Sequence, residues 1–204
     1  SYRGTTTILA GALFVDGDQS AATGLTSVAG FARLSGNGIV GGDVVVANDG
    51  RLAPASVPLT PATLTINGNL TLSGTSVLFY DMIDTTVGGA LNDLTIVGGD
   101  LTLDGRIDVL DQGQDLGPAV YRVLNYCGVL TNNGLDIGTF VPPDETPTRP
   151  LPDFVVQTVI PGQVNLVNTS GVSLNYWDGS AVTDKNDSTI QGGVGTWGAG
   201  ASSP

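Results

Sequence analysis

The feature that most constrains this chain is that it repeats itself. The string IVGGD runs from Ile39 to Asp43 and again from Ile96 to Asp100. Each copy leads into three strand-forming residues, Val44-Val45-Val46 and Leu101-Thr102-Leu103. Each then reaches an Asp-Gly-Arg triplet, Asp49-Gly50-Arg51 and Asp104-Gly105-Arg106. A longer self-match sets LTINGNLTLSGTSVLFYD, Leu64 to Asp81, against LTIVGGDLTLDGRIDVLD, Leu94 to Asp111. It aligns Leu64 with Leu94 and absorbs one extra residue at Gly98-Gly99.

Within each copy the apolar residues alternate: Leu64, Ile66, Leu70, Leu72, Val77 and Phe79 in the first, and Leu94, Ile96, Leu101, Leu103, Ile107 and Val109 in the second. Period two marks strands with one buried face. The strands are short and end at Asn67-Gly68-Asn69, Ser73-Gly74, Gly98-Gly99-Asp100 and Asp104-Gly105. Glycine accepts positive φ, so these positions read as sharp bends. Three short strands joined by bends make one coil, which cannot bury its own apolar face but can stack on a like neighbour. The expectation is an all-β, right-handed parallel β-helix with three short strands per coil, stacked about 4.8 Å apart. Leu64 would sit over Leu94, Ile66 over Ile96, and Val77 and Phe79 over Ile107 and Val109. Thr65, Thr71, Thr95 and Thr102 would point outward. An antiparallel sandwich also has short alternating strands. The self-match, however, runs forward through three successive strands, as stacked coils require.

Composition agrees. Of the 19 acidic residues all but Glu145 are Asp, and Lys185 is the only lysine, beside 30 Gly and 11 Pro. Asp and Gly favour turns, and the scarce Glu and Lys are helix formers. A net charge of −12 excludes an attractive field for nucleic acid or anionic membrane. An IVGG string also begins mature trypsin-like proteases, but with no histidine a Ser-His-Asp triad is impossible. One cysteine, Cys127, allows no internal disulfide, and without histidine it builds no zinc-type site. Its apolar flanks predict a buried, inert thiol. No cofactor or metal is expected; an Asp-rich turn could in principle take calcium, but neither an EF-hand loop nor a GGxGxD repeat is present. No apolar run reaches membrane-spanning length, no signal peptide opens the chain, and the abrupt start at Ser1 reads as a piece of something longer.

Along the chain, residues 5–16 read as two strands meeting at Ala10-Gly11, and 17–29 as irregular. Residues 52–62 and 82–92 read as loops, Ala119 to Tyr126 as a longer strand, and 141–152, with five prolines, as an exposed loop. Phe154–Ile160 and Val164–Val167 predict a hairpin with Pro161-Gly162 central in a type II turn. Such a hairpin would cap the helix and shield its edge. The expected organisation is a β-helix over residues 1–167, capped near 154–167, and a Gly-rich tail or the start of a further unit over 168–204.

The stretches GNGIVGGDVVVANDGRLAP, ATLTINGNLTLSGTSVLFYDM, LNDLTIVGGDLTLDGRIDV, YRVLNY and FVVQTVIPGQVNLV occur in an order that resembles the passenger region of bacterial autotransporters, the type V secreted proteins. The resemblance covers about residues 31–167 and is closest to the C-terminal, autochaperone-like end of a passenger. Residues 174–197 resemble the opening of another passenger unit. The resemblance implies display at the bacterial surface, with covalent continuity to further passenger units and to a β-barrel translocator outside this chain. It implies host extracellular matrix, a cell-surface receptor or sister passengers as partners.

Three functions are weighed. The first is a non-catalytic stalk and folding module of an adhesin. The second is a carbohydrate-active β-helix enzyme, a lyase or hydrolase, for which Asp104, Asp108 and Asp111, or Asp81 and Asp84, could supply paired carboxylates. Asp is also the ordinary turn residue here, and no cluster of aromatics accompanies it. The third is self-association driving bacterial aggregation, which screening by salt would favour. Tyr80, Tyr176, Trp177 and Trp197 are the exposed candidates for binding, each also able to serve in a cap or in contact with the next unit. No ligand site is assigned.

Overall fold

The computed structural model describes residues 2–57, 59–85, 87–88, 91–110, 116–141, 149–151 and 153–170. The chain divides into a unit of residues 1–170 and one of 171–204. Most of the expected tail, with Tyr176, Trp177 and Trp197, lies outside the described residues.

Every element among the described residues is a strand, and the strands come in threes. The first coil is β1 (Thr6–Ile8), β2 (Ala12–Phe14) and β3 (Asp18–Gln19). The second is β4 (Thr26–Val28), β5 (Arg33–Ser35) and β6 (Ile39–Val40). The third is β7 (Val44–Val46), β8 (Arg51–Ala53) and β9 (Thr63–Ile66). The fourth is β10 (Leu70–Leu72), β11 (Val77–Asp81) and β12 (Leu94–Val97). The fifth is β13 (Leu101–Leu103), β14 (Arg106–Leu110) and β15 (Ala119–Tyr126). The last coil begins with β16 (Leu130–Asn132) and β17 (Asp136–Val141) and adds β18 (Arg149–Pro150), β19 (Phe154–Gln157) and β20 (Gln163–Asn168). Like strands stack into three sheets, β1-β4-β7-β10-β13-β16, β2-β5-β8-β11-β14-β17 and β3-β6-β9-β12-β15. Pairing is parallel from coil to coil, as in a β-helix.

The stack is closed by antiparallel pairing. β20 runs against β15, and β19 against β20. The hairpin between β19 and β20 reverses at Ile160–Gln163, where Gln163 N donates to Ile160 O at 3.2 Å and Gly162 has φ of 78°. Pro161 followed by a left-handed glycine is the chemistry of a type II turn. Two segments differ from the sequence reading. Residues 17–29 hold β3 and β4, because Thr26, Ser27 and Val28 stack in register on Val44, Val45 and Val46. In the 141–152 stretch Arg149–Pro150 pairs with β17 and Leu151 is buried. A proline is tolerated there because β18 lies at the edge of its sheet.

The core is a set of columns inside the coils. In the first sheet Val44, Leu70 and Leu101 stack and are fully buried, while the intervening Val45, Thr71 and Thr102 face outward and are half-buried. In the second sheet the column is Leu13, Leu34, Leu52, Leu78 and Ile107. Each fully buried Leu or Ile contributes about 1.5–3 kcal/mol of transfer free energy.

Two ladders run in a different register from the expected one. On β12 the pairs are Leu64 with Thr95 and Ile66 with Val97, so Ile96 is half-buried and Leu94 falls outside the main core. Thr95, expected outside, is fully buried. On β11 the residues over Ile107 and Val109 are Leu78 and Tyr80, not Val77 and Phe79. Val77 and Phe79 are buried in a separate small cluster with Ala53, Leu110 and Val141, and the Arg51 guanidinium lies 5.4 Å from the Phe79 ring centre. All five residues of β11 are buried, so alternation alone does not say which face points inward. A one-residue slip then exchanges the faces.

Candidate functional site

The duplicated string turns the same corner in two coils. Ile39 pairs with Thr65, which pairs with Ile96, so the two IVGGD copies are stacked with Ile66-Asn67-Gly68-Asn69 between them. Asp43 Oδ1 accepts the Asn69 N–H at 2.8 Å, Asn69 Oδ1 accepts the Asp100 N–H at 2.7 Å, and Asp100 Oδ1 accepts the Val129 N–H at 2.7 Å. The three steps span 26, 31 and 29 residues. Each side-chain oxygen thus satisfies a main-chain donor that the corner withdraws from the sheets.

The corner glycines have a different reason from the one expected. Of those assigned to sharp bends only Gly105 has positive φ, at 80°. At Gly42 a Cβ would overlap Gly24 O and lie 2.7 Å from Thr23 O; at Gly98 it would lie 2.5 Å from Asn67 O. At Gly68 and Gly99 it would collide with the side-chain oxygens of Asp43 and Asn69. These glycines let neighbouring coils approach and leave room for the Asx ladder.

Tyr80, expected to be exposed, is fully buried in the main core. Its hydroxyl meets Thr95 Oγ1 at 2.5 Å, the pairing that brings Thr95 inside. Burial pushes the Tyr80 hydroxyl far above the usual phenol range. Beside it Asp81 and Asp93 are both fully buried. Asp93 accepts N–H groups from Ala62 at 2.7 Å and from Asp81 at 2.8 Å, and its own N–H donates to Asp81 O at 2.8 Å. Burial raises the Asp93 carboxyl well above the ordinary value; the Asp81 N–H opposes this, the Asp81 charge adds to it, and the Ala62 N–H opposes it. Asn92 Oδ1 accepts the Ile83 N–H at 2.8 Å, and Asn92 Nδ2 donates to Asp84 O at 2.8 Å. Together these contacts pin both ends of the 82–92 excursion to the coil.

The other carboxylates considered for catalysis also make internal bonds. Asp108 is 3% exposed at its side chain, bonds Arg106 Nε at 3.1 Å and accepts the Thr139 N–H at 3.0 Å. Asp104 accepts the Gly105 N–H at 2.8 Å and the Asn133 amide at 3.4 Å. Asp111 lies outside the described residues. Cys127 is exposed rather than buried: it follows β15 at a corner, and only its neighbours within the strand face the core. At the capped end Leu135, Ile137, Phe154 and Val156 line a shallow groove of about 440 Å³ between β16, β17 and β19. Among the described residues no group of three acidic or cysteine side chains is placed to hold a metal.

Fold and corner geometry define a capped parallel β-helical segment whose acidic side chains hold coil to coil. No family model matches the chain, and no solved structure matches it. A curated protein does: the chain is 45% identical over 206 residues to the adhesin BmaC autotransporter of Brucella suis biovar 1 (strain 1330), a match that spans all of this chain and 6% of that protein. Over its whole length the chain is thus similar to a segment of an autotransporter, and its stacked parallel coils agree with that likeness.

Proposed function

We propose that this chain is a non-catalytic stalk and folding segment of a surface-displayed adhesin passenger. The observation that carries the reading is the uninterrupted stacking of the core columns from the first coil to the cap, with buried acidic side chains such as Asp93 and Asp108 bonded to main chain. A solenoid built this way supplies length, and each coil templates the next. The antiparallel β19–β20 hairpin suits it to begin or end such a stack. The related Brucella protein is named an adhesin, and attachment to host matrix, to a receptor or to sister passengers would belong to the whole passenger. The parent protein would be held at the cell surface through an outer-membrane translocator.

The test is titration of the purified, folded chain against an array of matrix proteins and glycans at physiological salt. No saturable binding, with the longer passenger binding in the same assay, is the expected result. Saturable binding by this segment alone would replace the stalk reading with an adhesive one.

A further inference from the structure

The sequence holds three Asn-Gly pairs, Asn37-Gly38, Asn67-Gly68 and Asn133-Gly134, among the described residues. Such pairs can undergo intramolecular imide formation because glycine has no Cβ to shield the attacking nitrogen. The attack needs that nitrogen unengaged and the asparagine side chain free to swing onto it. In the first pair Gly38 N is held by Val15 O at 2.8 Å. In the third, Gly134 N is held by Asn132 Oδ1 at 3.1 Å, and the Asn133 amide is tied to Asp104 Oδ2 at 3.4 Å. The second pair differs on both counts. Asn67 is exposed, and neither its side chain nor the Gly68 N–H makes a hydrogen bond among the described residues.

We infer that Asn67-Gly68, the corner between the two IVGGD copies, is a site of spontaneous deamidation and backbone isomerisation. Gly68 N attacks Asn67 Cγ; the new C–N bond forms, the Cγ–Nδ2 bond breaks, and ammonia leaves. Water then opens the imide at either carbonyl and yields aspartate or isoaspartate. The isoaspartyl product lengthens the main chain by one carbon between Asn67 and Gly68. The corner has little room for it: Asn67 N donates to Val40 O at 2.9 Å, Gly68 O accepts from Gly99 N at 3.0 Å, and a Cβ on Gly98 would already lie 2.5 Å from Asn67 O. The modification therefore loosens one chosen junction between coils and places a new carboxylate there.

The experiment ages the purified folded chain at mildly alkaline pH and maps peptides by mass spectrometry, with fragmentation that separates aspartate from isoaspartate. A urea-unfolded sample serves as reference. In the unfolded sample the three pairs convert at similar rates. In the folded sample amide loss appears at Asn67 well ahead of Asn37 and Asn133, and Asn67→Gln abolishes it. Equal protection of all three pairs, or earlier conversion at Asn37 or Asn133, overturns the assignment. A lower unfolding midpoint for the aged chain than for Asn67→Asp supports the backbone effect, and equal midpoints overturn that part of it.

Discussion

Replacing Gly42 by alanine tests whether corner glycines serve coil approach or backbone freedom. The added Cβ would overlap Gly24 O and lie 2.7 Å from Thr23 O, both main-chain atoms of the coil beneath. Main-chain oxygens cannot turn aside like the end of a side chain, so the two coils must part. Overpacking of this kind costs about 1–3 kcal/mol. For a chain of this size that is a fall in Tm of about 2–12 °C. Gly17→Ala is the control. A Cβ there meets nothing within 4 Å, and its φ lies outside the left-handed region. It restricts only the unfolded chain and should stabilise by about 0.4–1 kcal/mol. Urea unfolding followed by circular dichroism, with m-values compared between variants, separates the two shifts. If Gly42→Ala leaves the midpoint where Gly17→Ala leaves it, the close-approach reasoning is wrong.

Two further outcomes follow from the geometry. The neutral Asp93 carboxyl is favoured by folding, so the native chain holds a proton that the unfolded chain releases above the ordinary value of 3.8. Its contribution is full below that value and lost as pH rises toward the folded pKa. The wild-type midpoint minus that of Asp93→Asn should therefore fall as pH is raised above the ordinary value of 3.8, and a flat or rising difference would count against the buried neutral form. Phe31 has φ of 63° yet is 75% exposed. Left-handed backbone costs a non-glycine residue about 1–2 kcal/mol, part of which glycine returns as lost chain entropy. Phe31→Gly should stabilise the chain by up to about 1 kcal/mol, read as a higher unfolding midpoint, and a loss of stability would show that the ring packs after all.

Much of the fold was legible because a solenoid writes its period into the chain. The forward self-match, the glycine and asparagine corners, the Ala119–Tyr126 strand and the Pro161-Gly162 hairpin all rest on local chemistry that each segment carries by itself. The Asx ladder was partly legible too: Asp43, Asn69 and Asp100 each follow a glycine and precede a strand, and only the stacking shows that each side chain bonds the coil above.

What the sequence by itself determined is that this chain coils, in short strands with recurrent corners. What tertiary structure decided is which residue of each strand faces the core. Leu64 lies over Thr95 rather than Leu94, and Tyr80 rather than Phe79 points inward. In β11 both faces are buried, so the alternating pattern carries no sign, and in β12 a threonine can enter the core because a tyrosine hydroxyl waits there for it. Cys127 and Tyr80 exchanged their expected places for the same reason. Burial is set by the neighbouring coil, and a residue's own flanks do not record which atoms lie above and below it.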